Sequence, residues 1–426
     1  MLSFIYRQLT ELGAPFISLY LLRRRAEGRE DAMRFPERFG HAARPRPEGY
    51  LVWCHAASVG EAASVLALIG RIRERHPDTP ILITTGTVTS ARMLADRLPA
   101  GAIHQYMPVD RAPYVARFLD HWRPDFALLI ESELWPNMLD GLRRRGIAAA
   151  LVNGRMSERS FRRWRRFRGW AKELLSTFAL CLAQTEADRQ RFTALGAKKA
   201  HCLGNLKYAA QPLPYDETEL RRLRGMIGTR PVWLLASSHR GEEKIALRAH
   251  AGLRKTMPDL LTVIVPRHAV RGEDVAREIE KEGLAFTRRS KKQDITPATE
   301  IYLADTMGEL GLLYRLSPVT VLGGSFVDIG GHNPIEPAQL ESAIIFGPFM
   351  HNFSAIAQEF VQRQAAVQLR ESDRLSPALL RFLKTPEERA GYARAAHELA
   401  DEKQHVLDDI LAALSPWLSP AESKAA

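Results

Sequence analysis

Along the chain, short apolar runs rich in β-branched residues alternate with longer stretches whose apolar positions recur at helical spacing. In the first half the short runs are Leu51–His55, Ile81–Thr85, Ile103–Met107, Phe126–Ile130, Ala148–Val152, Phe178–Ala183 and Ala200–Leu203. In the second half they are Val232–Ser237, Leu260–Val265, Glu300–Ala304, Val319–Gly323 and Ala343–Phe346. Continuous apolar runs of this kind belong to parallel strands covered on both faces. Their alternation with helices predicts α/β layers. The rhythm occurs twice, so two doubly wound, Rossmann-like domains are expected. Two prolines in Ala209–Asp216 interrupt it and mark the boundary. The predicted division is an N-terminal helix over 1–25, a first domain over 26–210, a second over 217–400, and a C-terminal helix and tail over 401–426.

The N-terminal segment is apolar from Leu2 to Leu22, interrupted by Arg7 and Glu11, and Arg23, Arg24 and Arg25 follow. The uninterrupted part, Ala14 to Leu22, is too short to span a bilayer. Its basic residues lie on the wrong side for a secretory signal. The pattern fits a helix lying in a membrane interface with arginines at the phosphates; the competing reading is an amphipathic helix packed on its own domain. The chain of 426 residues carries a net charge of +11. Such a surplus points to an anionic partner: nucleic acid, a membrane surface or a phosphorylated substrate. Most of it lies between Arg143 and Lys172, where eleven basic residues face only Glu158. Phe161, Trp164, Phe167 and Trp170 recur every third position there, which predicts one helix with an aromatic face flanked by arginines. The three cysteines, Cys54, Cys181 and Cys202, lie in apolar runs and read as buried thiols of a reducing compartment.

Ligands of open α/β sheets bind beyond the carboxyl ends of the strands, so polar clusters there are the candidate chemistry. After the first strand comes Ser58-Val59-Gly60-Glu61. Ser58 and Glu61 have capping-box spacing. Glu61 is equally a carboxylate aimed into a cleft, with the helix N-terminus favouring its charged form as a general base. After the fourth strand come Glu131 and Glu133, then Trp135-Pro136-Asn137. They read as two functional carboxylates or as a capped helix start. Lys207 follows a later strand in Gly204-Asn-Leu-Lys-Tyr208. The second half carries Ser237-Ser-His-Arg-Gly-Glu-Glu243, Pro266-Arg267-His268, Asp305-Thr-Met-Gly-Glu-Leu310 and a glycine-rich stretch from Gly323 to Ala338. In the last, Pro334 suits a first helical turn, and a helix N-terminus on a glycine-rich loop is a phosphate site that needs no metal. No Walker A pattern, Asp-x-Asp, His-Glu-x-x-His or paired Cys-x-x-Cys occurs. No metal and no cofactor are therefore expected.

The segments SVGE (58–61), ESELWPN (131–137), GNLKY (204–208), PRH (266–268), DTMGEL (305–310) and GGHNPIEPA (330–338), with FPERFG at 35–40, resemble in order the 3-deoxy-D-manno-octulosonic acid (Kdo) transferases of lipopolysaccharide synthesis. The resemblance implies a GT-B fold whose two Rossmann-like domains face a central cleft, with the acceptor on the first and CMP-Kdo on the second. It implies inverting transfer of Kdo to a lipid A precursor, lipid IVA, at the cytoplasmic side of the inner membrane. Glu61 then corresponds to the general base, and Glu131 and Lys207 to transition-state stabilisers. Pro266 and Arg267, Met307, Gly308 and Glu309, and Asn333, Pro334, Ile335 and Glu336 correspond to CMP contacts. Ala56 departs from the small polar residue expected there and alters only the wall of the Glu61 loop. The implied partners are CMP-Kdo, the phosphorylated acceptor and an anionic inner-membrane surface, with no nucleic acid. Two other readings are a GT-B transferase using a UDP-sugar and a lipid acceptor, and a non-enzymatic nucleic-acid binder built on the basic block.

Overall fold

The computed structural model describes residues 2–95, 97–209, 212–403 and 405–419. The chain forms two compact units, Met1–Ala210 with Lys403–Ala426, and Gln211–Glu402. Ala210 and Gln211 of the expected linker, and the expected tail beyond residue 419, lie outside the described residues.

The first unit holds a parallel sheet of seven strands: β1 (Val52–His55), β2 (Ile81–Thr85), β3 (Ala102–Tyr106), β4 (Phe126–Ile130), β5 (Ala148–Gly154), β6 (Phe178–Ala183) and β7 (Ala200–Cys202). Their order is β3-β2-β1-β4-β5-β6-β7, a doubly wound arrangement whose direction reverses between β1 and β4. In β1, Val52 and Cys54 enter one core, with Val65, Leu68 and Ile72 of the helix Val59–Arg75. Leu51 and Trp53 enter the other, with Phe118 and Trp122 of the helix Ala112–Trp122. Neighbouring side chains of a strand point to opposite faces, and both faces here are covered. That is why the strands read as unbroken apolar runs.

The second unit repeats the plan with β8 (Val232–Ser238), β9 (Leu261–Pro266), β10 (Phe286–Arg288), β11 (Ile301–Leu303), β12 (Val319–Leu322), β13 (Ala343–Phe346) and β14 (Ala366–Gln368). The order is β10-β11-β9-β8-β12-β13-β14, with the reversal between β8 and β12. The sequence pattern missed β10 and β14. Both are edge strands of three residues and not fully buried, so neither carries an apolar run.

Four expectations change. The N-terminal segment is two helices, Leu2–Leu12 and Ala14–Ala26, separated at Gly13, with Pro15 at the start of the second. Proline has no N–H to continue the helical ladder. The first helix docks its polar face: the Tyr6 hydroxyl donates to Asp110 (3.1 Å), Arg111 pairs with Glu11 (2.7 Å), and the Trp170 indole donates to Ser3 (2.9 Å). Phe4, Ile5, Leu9, Leu12, Phe16 and Leu19 stay exposed. Arg24 is held by the buried Glu30 at 2.6 Å, and Arg23 and Arg29 both reach Glu27, so these arginines already have carboxylate partners. The aromatic stripe is likewise broken into helices Glu158–Arg166 and Arg168–Leu175 at Phe167. Phe161, Trp164 and Trp170 pack on the core, whereas Phe167 and the flanking arginines are exposed. Cys54 and Cys181 are buried, but Cys202, on the edge strand β7, is exposed. Finally, the helix Val406–Leu414 is part of the first unit. It packs on the helix Val59–Arg75 and on the turn Leu206–Ala209, and Trp417 stacks on Phe126. Among the described residues no helix is long and apolar enough to cross a membrane.

Candidate active site

Glu61 and Glu131 follow β1 and β4, the two strands between which the first sheet reverses direction. Ser58 caps the helix Val59–Arg75 by accepting the Glu61 N–H at 3.3 Å. The Glu61 carboxylate accepts in return from the Ser58 hydroxyl (2.9 Å) and from the Ala57 N–H (2.8 Å). The cap and the carboxylate at the strand end are therefore one arrangement, not alternatives. Burial first, then the charges on Glu131 and, more weakly, Glu133, push Glu61 above the usual carboxylate range, against the bonds from Ala57 and Ser58. This reverses the expectation that the helix N-terminus would dominate; desolvation and like charges win.

Glu131 has a left-handed backbone (φ 62°), its N–H bonded to the Val152 carbonyl at 3.0 Å. Its carboxylate meets the Lys207 ammonium at 3.1 Å, both side chains largely buried. Glu133 sits 3.3 Å from the His55 ring and accepts from the Trp135 indole; despite burial, these contacts hold it below its usual range. Neither carboxylate caps the following helix. Asp110 does so, accepting the N–H groups of Asn137 (3.1 Å) and Met138 (2.8 Å).

The segment 204–208 is clamped in place. The Asn153 side chain accepts the Leu206 N–H at 2.9 Å, its carbonyl accepts from Gln184, and Gln184 accepts from Asn205. Sequence reading missed Asn153, Gln184 and His55 as parts of the site. Gln184 directly follows a strand run. Asn153 takes a left-handed conformation (φ 56°), which Asn tolerates better than most residues.

In the second unit all three predicted donor segments follow strand ends. Pro266 closes β9 and is buried, and Arg267 after it is exposed. Met307 is exposed, and Gly308 has φ 84°. The Glu309 carboxylate is committed to Arg289 and Thr306, and Arg289 also binds Glu219 and the Tyr302 hydroxyl. Asn333 accepts the Ile335 N–H at 3.2 Å; Pro334 and Ile335 are buried, and Glu336 is half-buried. The expected phosphate-binding helix spans only Ile335–Gln339, too short for a strong dipole. Three backbone amides at the start of the glycine-rich loop are also taken. Buried Glu242 accepts from Gly324 (2.7 Å), Ser325 (3.1 Å), Phe326 (3.0 Å) and His239 (2.9 Å). Arg267 and Arg271, with the imidazoles of His268, His239 and His332, remain at these strand ends. Among the described residues no three His, Cys, Asp or Glu side chains group as metal ligands.

Two doubly wound parallel sheets, each with polar clusters at its switch point, define a two-domain α/β protein of the GT-B type. The crystal structure of UDP-GlcNAc 2-epimerase from Neisseria meningitidis bound to UDP-GlcNAc shares the fold, at 13% identity and a TM-score of 0.60 over 85% of this chain and 99% of that one. Residues 33–210 match the family described as 3-Deoxy-D-manno-octulosonic-acid transferase (kdotransferase). A 3-deoxy-D-manno-octulosonic acid transferase of Rickettsia bellii is 33% identical over 96% of this chain and 97% of its own length. One from Haemophilus influenzae is 32% identical over 98% and 99%. The chain belongs to the 3-deoxy-D-manno-octulosonic acid transferase family, and it is a glycosyltransferase.

Proposed function

We propose that this chain transfers Kdo from CMP-Kdo to a hydroxyl of a phosphorylated lipid A precursor, lipid IVA, with inversion and without a metal. The observation that carries the reading is the joining of Glu61, Glu131 and Lys207 at one switch point in a chain that matches the family over nearly its whole length. Glu61, raised above the carboxylate range, is the stronger base for an acceptor hydroxyl. Lys207, fixed by Glu131 and the Asn153–Gln184–Asn205 clamp, is a positioned cation for charge that develops in the transition state. Arg267 and the histidines around it suit a donor that is anionic at its phosphate and at its sugar carboxylate. Competition of donor turnover by CMP against UDP tests this. Inhibition by CMP with little by UDP supports it, and the reverse order would make the chain a UDP-sugar transferase.

The reading extends to the inner-membrane surface. The first helix is held to its unit through Ser3, Tyr6 and Glu11 and leaves Phe4, Ile5, Leu9 and Leu12 exposed, the opposite of an ordinary surface helix. Arg163, Arg165 and Arg166 are exposed and, among the described residues, have no acidic partner. An apolar strip and free arginines suit an interface of anionic lipid on the cytoplasmic side.

A further inference from the structure

His239 follows β8 and His332 lies in the loop after β12, so the two rings meet where the second sheet reverses direction. Their Nε2 atoms are 3.0 Å apart, with ring planes within 11° and centroids 5.2 Å apart. Two neutral imidazoles make this contact by sharing one proton, one ring donating and the other accepting. Protonation of the accepting ring would set two N–H groups against each other, because an imidazolium has donors only. The contact and protonation of that ring are therefore mutually exclusive.

The surroundings are cationic. Arg267 and His268 act on both rings, and Arg271 acts on His239. Glu243 is the acid that opposes them at His239, but it is already bound by Arg271 (2.7 Å) and Ser238 (2.7 Å). Glu242, packed against the same turn, has its carboxylate engaged by four backbone amides, one of them that of His239. The Ser237 carbonyl bonds the His332 ring and favours its charged form. Burial and the cations outweigh that bond and push His332 down to about 3, with His239 also lowered. Without a ligand, the pair is neutral near pH 7 amid positive charge. Gly324 lies beside both rings, and a Cβ there would come within 3.3 Å of His239 and 3.4 Å of His332.

We infer that the His239–His332 pair binds an anionic group of the donor, its phosphate or its sugar carboxylate, and that the accepting ring takes up one proton as it does so, giving up the Nε2···Nε2 bond. The inference rests on the reading of the second unit as the donor-binding unit and adds residues that the sequence motifs left without a role. An anion beside the rings reverses the local field, and both rings, one now an imidazolium and one neutral, have an Nε2–H to donate to it.

The test is a pH titration of the imidazole NMR signals of the full-length, histidine-labelled protein. The two rings are assigned by loss of signal in His239→Gln and His332→Gln; if one variant does not fold, the other assigns its ring. With no ligand, both rings should titrate below the ordinary imidazole range, His332 the further of the two. Saturating CMP should raise at least one midpoint by about one pH unit or more, the size of effect an opposite charge produces at ~4–6 Å. Cytidine should leave it unchanged. A rise with free Kdo in place of CMP supports the inference with the carboxylate as the anion. CMP or Kdo that binds by calorimetry while both rings stay unmoved overturns it and leaves the donor reading standing. Failure of both CMP and Kdo to bind the wild-type chain overturns the donor reading, and the inference with it.

Discussion

Replacing Glu61 by Gln separates the helix cap from the base. An amide oxygen can keep the bond from the Ala57 N–H, and its NH2 can donate to Ser58, whose oxygen already accepts the residue-61 N–H. Capping boxes take Gln as readily as Glu. The change also removes one of the three charges that Glu61, Glu131 and Glu133 hold near one another. Stability should therefore stay near wild type. Glu61→Ala loses the side-chain half of the cap, a cost of about 1 kcal/mol, or roughly 2–4 °C in Tm for a domain of this size. Neither variant can accept a proton, so turnover should fall about 10²–10⁴-fold in both. Thermal unfolding by circular dichroism reads the first effect, and product formation from CMP-Kdo and a lipid A precursor reads the second. A folded Glu61→Gln protein that turns over within a few-fold of wild type would refute the base assignment and leave Glu61 as a cap alone.

Further outcomes follow from the same geometry. Activity that needs ionised Glu61 should fall as pH drops through its raised pKa. Glu131→Gln removes the nearest like charge, so the acid limb of the residual kcat/KM profile should move to lower pH; an unmoved limb would contradict the coupling. Transfer should survive EDTA, and loss restored by magnesium would overturn the metal-free mechanism. Binding to anionic vesicles should weaken with salt yet persist. Leu9→Ser with Leu12→Ser and Phe16→Ser should remove the salt-resistant part, since these side chains are exposed and their loss leaves the core intact. Replacing Arg162, Arg163, Arg165 and Arg166 by glutamine should reduce the salt-sensitive part and raise the acceptor KM more than the CMP-Kdo KM; unchanged vesicle binding would make the block a solvated face.

What could be read from the chain, and what could not, divides along physical lines. Strands buried on both faces announce themselves as apolar runs, so β1, β2, β4 to β6, β8, β9 and β11 to β13 were legible to within a residue or two at each end, as were the partly exposed edge strands β3 and β7. Strands β10 and β14, at the edges of the second sheet and partly exposed, leave no such run. The carboxylates and the lysine were legible because they stand directly after runs. The Glu61 pKa was not, because it is raised first by burial and then by Glu131, brought beside it only by the parallel pairing of β1 with β4. Asn153 and Gln184 also stand directly after runs, but they are neutral and act through one another across strands, a link only the fold makes. In the glycine-rich loop only the fold shows which amides are committed: it brings Glu242 in to occupy those of Gly324, Ser325 and Phe326. The same holds for the arginines after the first apolar stretch, since Glu27 and Glu30 fold back to pair with three of them.

The most direct test of the account is to incubate the purified full-length protein with CMP-Kdo and a tetra-acylated lipid A precursor, in parallel with UDP-sugars, and to read product masses. The account predicts a lipid product heavier by one or more Kdo residues, formed with CMP-Kdo alone and lost in Glu61→Gln. A product formed from a UDP-sugar, or release of Kdo to water with no change in the lipid, would contradict it.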